Sequence, residues 1–172
     1  NKAVELKHGS GQGHGYSQFY DKHLNSFRNK KINILEIGSF AGASAASFSK
    51  YIPNSKIYCL DINLKNFSFT SKNIEVFGLD ISKKRMIKNF YKNINIKKEE
   101  IFFDIIIDDG SHKLSDILIS LNIFFKNLRP GGFYIVEEFK YPNFFEHLND
   151  CNEIKIDELL INLREKRTFN SN

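Results

Sequence analysis

The run Phe103-Asp104-Ile105-Ile106-Ile107-Asp108-Asp109 constrains this chain more than any other segment. It is short, almost continuously apolar and closed by acids and Gly110, the pattern of a strand buried on both faces of a parallel sheet. Parallel neighbours need long crossover connections, so the chain around it should alternate strands with helices. Ile32–Ile37 is β-rich and ends at Gly38, and Ala41–Tyr51 follows with small and apolar residues at helical density. Lys56–Asp61 reads as a second strand and Ile74–Phe77 as a third, with Ser82 as the expected cap of a helix running toward Asn93. From Lys113 to Leu128, apolar residues at three- and four-residue steps predict an amphipathic helix. Pro130-Gly131-Gly132 should stop it, and Phe133–Val136 makes a fifth strand that ends at Glu137-Glu138. The expected fold class is α/β: a doubly wound, mostly parallel, Rossmann-like sheet with right-handed crossovers.

A length of 172 residues suits one such domain. Its expected parts are an N-terminal lid and helix over residues 1–30, a ligand-binding core over 31–140 and a short C-terminal part over 141–172. The lid is the stretch His8-Gly9-Ser10-Gly11-Gln12-Gly13-His14-Gly15, too rich in glycine for a stable helix or strand. No apolar run approaches the roughly 20 residues of a membrane span, and the N-terminus lacks the pattern of a signal or transit peptide, so a cytoplasmic location without membrane partners is expected. Cys59 and Cys151, in unlike settings and without C-x-x-C spacing, read as ordinary reduced thiols. The net charge of +5 raises the question of nucleic acid, but the basic residues lie in scattered groups such as Lys83-Lys84-Arg85 and Lys97-Lys98. A solvated basic surface with no nucleic-acid partner is the expectation.

In open α/β sheets, ligands bind outside the carboxyl ends of the strands, so the residues closing each strand carry the functional reading. Glu36-Ile37-Gly38-Ser39-Phe40-Ala41-Gly42 puts glycines at the first turn, where a missing side chain lets a ligand lie against the backbone. Asp61, at the end of the second strand, can accept bonds from both hydroxyls of a ribose. A dinucleotide site wants G-x-G-x-x-G, and here Phe40 stands at the second glycine position, where it would crowd a pyrophosphate. The E-x-G-x-x-x-G spacing resembles instead the first motif of class I S-adenosylmethionine-dependent methyltransferases. Gly78-Leu79-Asp80 and the Leu128-Arg129-Pro130-Gly131-Gly132-Phe133 turn add to that likeness. S-adenosylmethionine is therefore the expected cofactor.

The second constellation is acidic. If the fourth and fifth strands are neighbours, Asp108-Asp109 and Glu137-Glu138 converge on one edge of the cofactor site. Carboxylates side by side repel by several kcal/mol in a partly dry site, and a hard divalent cation resolves this. Oxygen donors suit Mg²⁺, with Mn²⁺ or Ca²⁺ as substitutes. His112 follows Asp109 across a Gly110 turn, and an imidazole there can take a proton from a hydroxyl acidified by the cation. His8 and His14 are weaker candidates, while His23 and His147 read as helix-surface residues.

Together, His14-Gly15-Tyr16, Leu35-Glu36-Ile37-Gly38, Leu60-Asp61-Ile62, Ile107-Asp108-Asp109-Gly110-Ser111-His112 and Val136-Glu137-Glu138 resemble the sugar O-methyltransferases of macrolide biosynthesis, the mycinamicin and macrocin type. The resemblance implies Mg²⁺-assisted methylation of a sugar hydroxyl on a glycosylated metabolite or polysaccharide precursor. It implies metal ligands at Asp109, Glu137 and Glu138 and a general base at His112. It also implies cofactor contacts from Tyr16, Glu36, Gly38, Ser39, Gly42, Asp61, Asp80 and Asp108. The expected partner is a small-molecule or carbohydrate substrate, and a homo-oligomer is compatible with it. Two departures stand out. Gly9-Ser10-Gly11-Gln12-Gly13 lacks the charges of the family's G-T-D-K-G, and the chain after Glu138 is short for the antiparallel hairpin that ends such sheets. Either the last two strands are missing or truncated, or a partner supplies them. Two other functions remain open: a catalytically incomplete cofactor-binding or scaffold domain, and a metal-dependent hydroxylase, which needs a second well-placed histidine.

Overall fold

The computed structural model describes residues 16–98, 100–137 and 161. Helix α1 (Ser17–Leu24) precedes a sheet of five strands: β1 (Asn33–Ile37), β2 (Lys56–Asp61), β3 (Ile74–Gly78), β4 (Phe103–Asp108) and β5 (Leu128–Val136). Helices α2 (Ala43–Tyr51), α3 (Lys84–Asn93) and α4 (Leu114–Phe124) make three of the crossovers or their parts. The order is β3-β2-β1-β4-β5 and every pairing is parallel, so the expected doubly wound α/β sheet is present. The direction of winding reverses between β1 and β4. A crevice for ligand therefore belongs at the carboxyl ends of those two strands.

Side-chain parity along the central strands builds two cores. Ile34, Ile57, Cys59, Ile105 and Ile107 face one side, where Tyr20 and Leu24 of α1 and Ala45 and Phe48 of α2 cover them. Leu35, Leu60 and Ile106 face the other, against Ile87, Phe90 and Tyr91 of α3 and Phe124 of α4. Covering on both faces is why β4 reads as continuously apolar. Fully burying each such side chain is worth about 1.5–3 kcal/mol. Asp104, the acid inside this strand, is buried but satisfied: its Oδ2 accepts the Asn33 backbone N–H at 2.8 Å, and its Oδ1 lies 3.5 Å from Arg129 Nε. One carboxylate thus ties the beginnings of β1, β4 and β5 together.

Two boundaries differ from the expectation. Ser82 does not cap α3, because its N–H and hydroxyl both bond to Asp80 Oδ1, at 2.9 and 2.7 Å, and Lys83 takes the cap position. The helix after Lys113 ends at Phe124 and continues as a 3-10 turn over Phe125–Asn127. Asn127 is buried, accepts from the Tyr91 hydroxyl at 2.8 Å and donates to the Glu100 carbonyl at 2.7 Å. Those bonds fix the chain reversal before Pro130 is reached, so Pro130-Gly131-Gly132 lies within β5. The lid stretch 8–15, His147, Cys151, Glu138 and the segment expected to hold any further strands fall outside the described residues.

Candidate active site

The crevice has a β1–β2 half and a β4–β5 half. In the first, β1 ends at Ile37 and turns through Gly38, at φ +84°, where any side chain would drive into the backbone of Asp109 and Gly110. Gly38 therefore lets the first turn and the acid loop press together, and the Asp109 N–H donates to the Ile37 carbonyl at 2.9 Å. Gly42, at φ +81°, caps α2 in the left-handed region, and a Cβ there would stand 2.7 Å from the Phe67 ring. Between them, Ser39 is buried and Phe40 is exposed at φ +41°. The strained Phe40 backbone aims its N–H at Asp61 Oδ2, 2.7 Å away, while Asn63 N–H reaches Oδ1 at 2.8 Å. Asp61 is thereby held with both oxygens oriented and lone pairs left over for other donors. Exposed Ile62 and Leu64 flank it.

The other expected cofactor residues fall at different depths. Tyr16 precedes α1, and its carbonyl accepts the Tyr20 N–H at 2.9 Å. Asp80 closes the turn after β3, and its bonds from Ser82 hold its carboxyl below the usual range. Glu36 lies in the interior at 1% exposure, bonded by the Ser44 hydroxyl on Oε1 and by Cys59 Sγ at 3.5 Å on Oε2. Burial pushes its carboxyl up, against the lowering effect of those donors. The folded chain therefore holds this proton more tightly than the unfolded chain. That contribution to stability is present at acid pH and lost as pH rises through the folded-state value. Glu36→Gln should melt above the wild type near pH 8, with the difference closing toward about pH 4. A thermal-melt series across that range checks this, and a difference that grows on acidification would contradict it.

In the β4–β5 half, the two consecutive acids part company. Asp108 continues the parity of Ile106, is 5% exposed and takes a hydrogen bond from the Ser120 hydroxyl of α4, which in turn accepts from Tyr134 Oη at 3.0 Å. Burial raises its carboxyl. The four acids expected on one edge are thus not together, because Asp108 turns under α4. Asp109 emerges on the side covered by α1, and so does Glu137, whose N–H bonds to the Asp108 carbonyl at 2.9 Å. The Tyr20 hydroxyl donates to Glu137 Oε1. Burial raises that phenol far above its ordinary range, and the charges of Glu137, Asp109 and Glu36 add to the effect.

His112 sits at φ +61°, a left-handed conformation that costs a β-carbon residue about 1–2 kcal/mol. This turn brings Nε2 back to 3.9 Å from Asp109 Oδ1, with both side chains about 30% exposed. Ser111 bonds to Asp116 at the start of α4 and anchors the turn. His23, expected on a helix surface, is half-buried with its ring 4.5 Å from Phe19 and 6.0 Å from Phe133. Among the described residues, no three His, Cys, Asp or Glu side chains form a metal-holding group. Asp109 and Glu137 nevertheless supply the one or two carboxylates that Mg²⁺ commonly takes alongside water, and in that respect the donor set fits a hard cation. Among the described residues, no helix is long and apolar enough to cross a membrane.

No family model matches the chain. The L-olivosyl-oleandolide 3-O-methyltransferase of Streptomyces antibioticus is 31% identical over 132 residues, which are 73% of this chain and 32% of that protein. The mycinamicin VI 2''-O-methyltransferase of Micromonospora griseorubida is 29% identical over 132 residues, 73% of this chain and 31% of that protein. The chain thus spans about a third of the length of these curated relatives. A ribosomal RNA small subunit methyltransferase G of Malacoplasma penetrans is 26% identical over 86% of this chain and 63% of its own length. Among solved structures, the MycE methyltransferase of the mycinamycin biosynthetic pathway, in complex with Mg and SAH, superposes with a TM-score of 0.62 at 24% identity, over 91% of this chain and 38% of that one. The chain has the class I S-adenosylmethionine-dependent methyltransferase fold, and its curated likeness is to macrolide sugar O-methyltransferases.

Proposed function

We propose that this chain carries the cofactor-binding and catalytic core of an S-adenosylmethionine-dependent, Mg²⁺-assisted O-methyltransferase that acts on a sugar hydroxyl of a glycosylated small molecule. The observation that carries the reading is the left-handed turn that sets the His112 imidazole beside Asp109, on the side of the sheet where Glu137 also emerges. S-adenosylmethionine supplies an electrophilic methyl group on a sulfonium, and a divalent cation supplies a charge that makes a nearby hydroxyl more acidic.

The chain's own residues do the rest. Asp61, fixed by two backbone N–H groups, accepts from the ribose hydroxyls, and the Gly38–Gly42 turn lies beside it, its Phe40 N–H bonded to the Asp61 carboxylate; Gly38 and Gly42 serve the packing of the acid loop and of Phe67 against that turn. Asp109 and Glu137 hold the cation, and Glu138 is a third candidate ligand. His112 accepts the hydroxyl proton as the oxygen attacks, and the Asp109 carboxylate is the counter-charge for the imidazolium that results. Asp108 and Glu36, the two buried acids of the expected cofactor set, stand at the ends of β4 and β1 and shape the turns that follow.

The relatives named for mycinamicin and oleandolide sugars support a glycosylated acceptor. The ribosomal RNA methyltransferase likeness and the net charge of +5 favour a second reading, methylation of RNA. Incubation with labelled S-adenosylmethionine, Mg²⁺ and either glycosylated macrolides or ribosomal RNA separates them. Label in the glycoside is the expected result, and label in RNA alone would overturn the sugar assignment.

A further inference from the structure

The geometry points to Tyr20 as a positioning residue for Glu137, an inference that rests on the reading of Glu137 as a metal ligand. Tyr20 belongs to α1, an eight-residue helix too short to persist alone, which docks through Tyr20 and Leu24. The Tyr20 ring packs edge-on against Phe48 with centroids 5.1 Å apart, and a phenylalanine would serve that packing equally. Its hydroxyl is carried into the interior, at 8% residue exposure, and donates to a carboxylate 117 positions away in sequence. A buried hydroxyl costs free energy unless it is bonded, so its presence at this point is matched to Glu137.

The choice of donor suits a cation site. The hydroxyl meets the carboxylate of Glu137, and a lysine or arginine in its place would neutralise the charge that a divalent ion needs. A phenol orients one carboxylate oxygen while leaving the negative charge of the site intact. Outer-shell bonds of this kind fix the rotamer of a ligand, and losing one typically weakens metal binding by about 10–100-fold. The bond joins α1 to the end of β5.

Tyr20→Phe tests this because it removes the hydroxyl and keeps the ring. Mn²⁺ titrated in the presence of S-adenosylhomocysteine and followed by electron paramagnetic resonance should bind about 10–100-fold more weakly to the variant than to the wild type. Its metal-free melting temperature and its affinity for S-adenosylhomocysteine should be unchanged, and Tyr20→Phe added to Glu137→Gln should cause no further loss. Wild-type Mn²⁺ affinity in Tyr20→Phe would overturn the inference while leaving the ligand assignment standing. A metal-free melting temperature that fell in step with affinity would also overturn it, by making the hydroxyl a structural bond only. If the wild type took up no Mn²⁺, the ligand assignment itself would be wrong and the inference would fall with it.

Discussion

Replacing His112 with alanine should lower kcat by about 10²–10⁴ while leaving S-adenosylhomocysteine and metal affinity nearly unchanged, the span that positioned general-base catalysis contributes. A sugar hydroxyl is too weak an acid to ionise unaided near neutral pH, and in-line attack on a sulfonium methyl needs the proton gone at or before the transition state. His112 is the described imidazole beside the acid loop, and the chain holds it there in a left-handed conformation. Strain of this sort persists where the surrounding structure over-determines it, here through the Ser111–Asp116 bond and the close approach of Gly38 to the Asp109 backbone. His112→Asn is the sharper control. Asparagine tolerates φ near +60° better than alanine, so the turn should survive, yet an amide cannot carry away a proton. It should be nearly as slow as the alanine variant. An asparagine variant with wild-type kcat and the same pH profile would reduce His112 to an orienting role.

Chelation should be as damaging. Treatment with EDTA is expected to reduce methyl transfer by about 10³-fold or more, in keeping with the several kcal/mol that a Lewis-acid cation contributes, and Mg²⁺ should restore it. S-adenosylhomocysteine binding should survive chelation, because the Gly38–Gly42 turn and Asp61 lie at the β1–β2 end of the crevice while Asp109 and Glu137 lie at the β4–β5 end. Glu137→Gln should reproduce the loss without EDTA. The measurement is initial rate against free Mg²⁺, and a full rate in metal-free buffer would remove the cation from the account.

Much of this architecture was legible in the sequence because strand ends announce themselves. Apolar runs closed by glycine or acid located β1 to β4 within a residue or two, and the parallel direction of the strands followed from the alternation with helical segments. Which of two consecutive acids faces the crevice was not legible. A strand buried on both sides shows no alternation, so the pattern alone did not separate Asp108 from Asp109; only the resemblance implied different roles, Asp109 for the metal and Asp108 for the cofactor, and packing places Asp108 under α4 against Ser120. The burial of Glu36 and its bonds to Ser44 and Cys59 were not legible either, because those partners lie on other elements. The end of α4 was misread because Pro130 is a strong local stop signal, whereas the operative one is tertiary: buried Asn127 bonded to Tyr91 and Glu100. Tyr20 had no local signal at all, since its bond to Glu137 spans 117 positions.

The central claim is that the β1–β2 end of this sheet binds S-adenosylmethionine through Asp61. Calorimetric titration with S-adenosylhomocysteine tests it most directly, with NAD as the competing ligand and Asp61→Ala as the competing protein. Saturable one-site binding of S-adenosylhomocysteine, no heat with NAD and a loss of about 1.5–3 kcal/mol in the variant are expected, the last being the usual cost of removing charge-assisted hydrogen bonds. Equal binding of NAD, or an Asp61→Ala affinity indistinguishable from wild type, would contradict it.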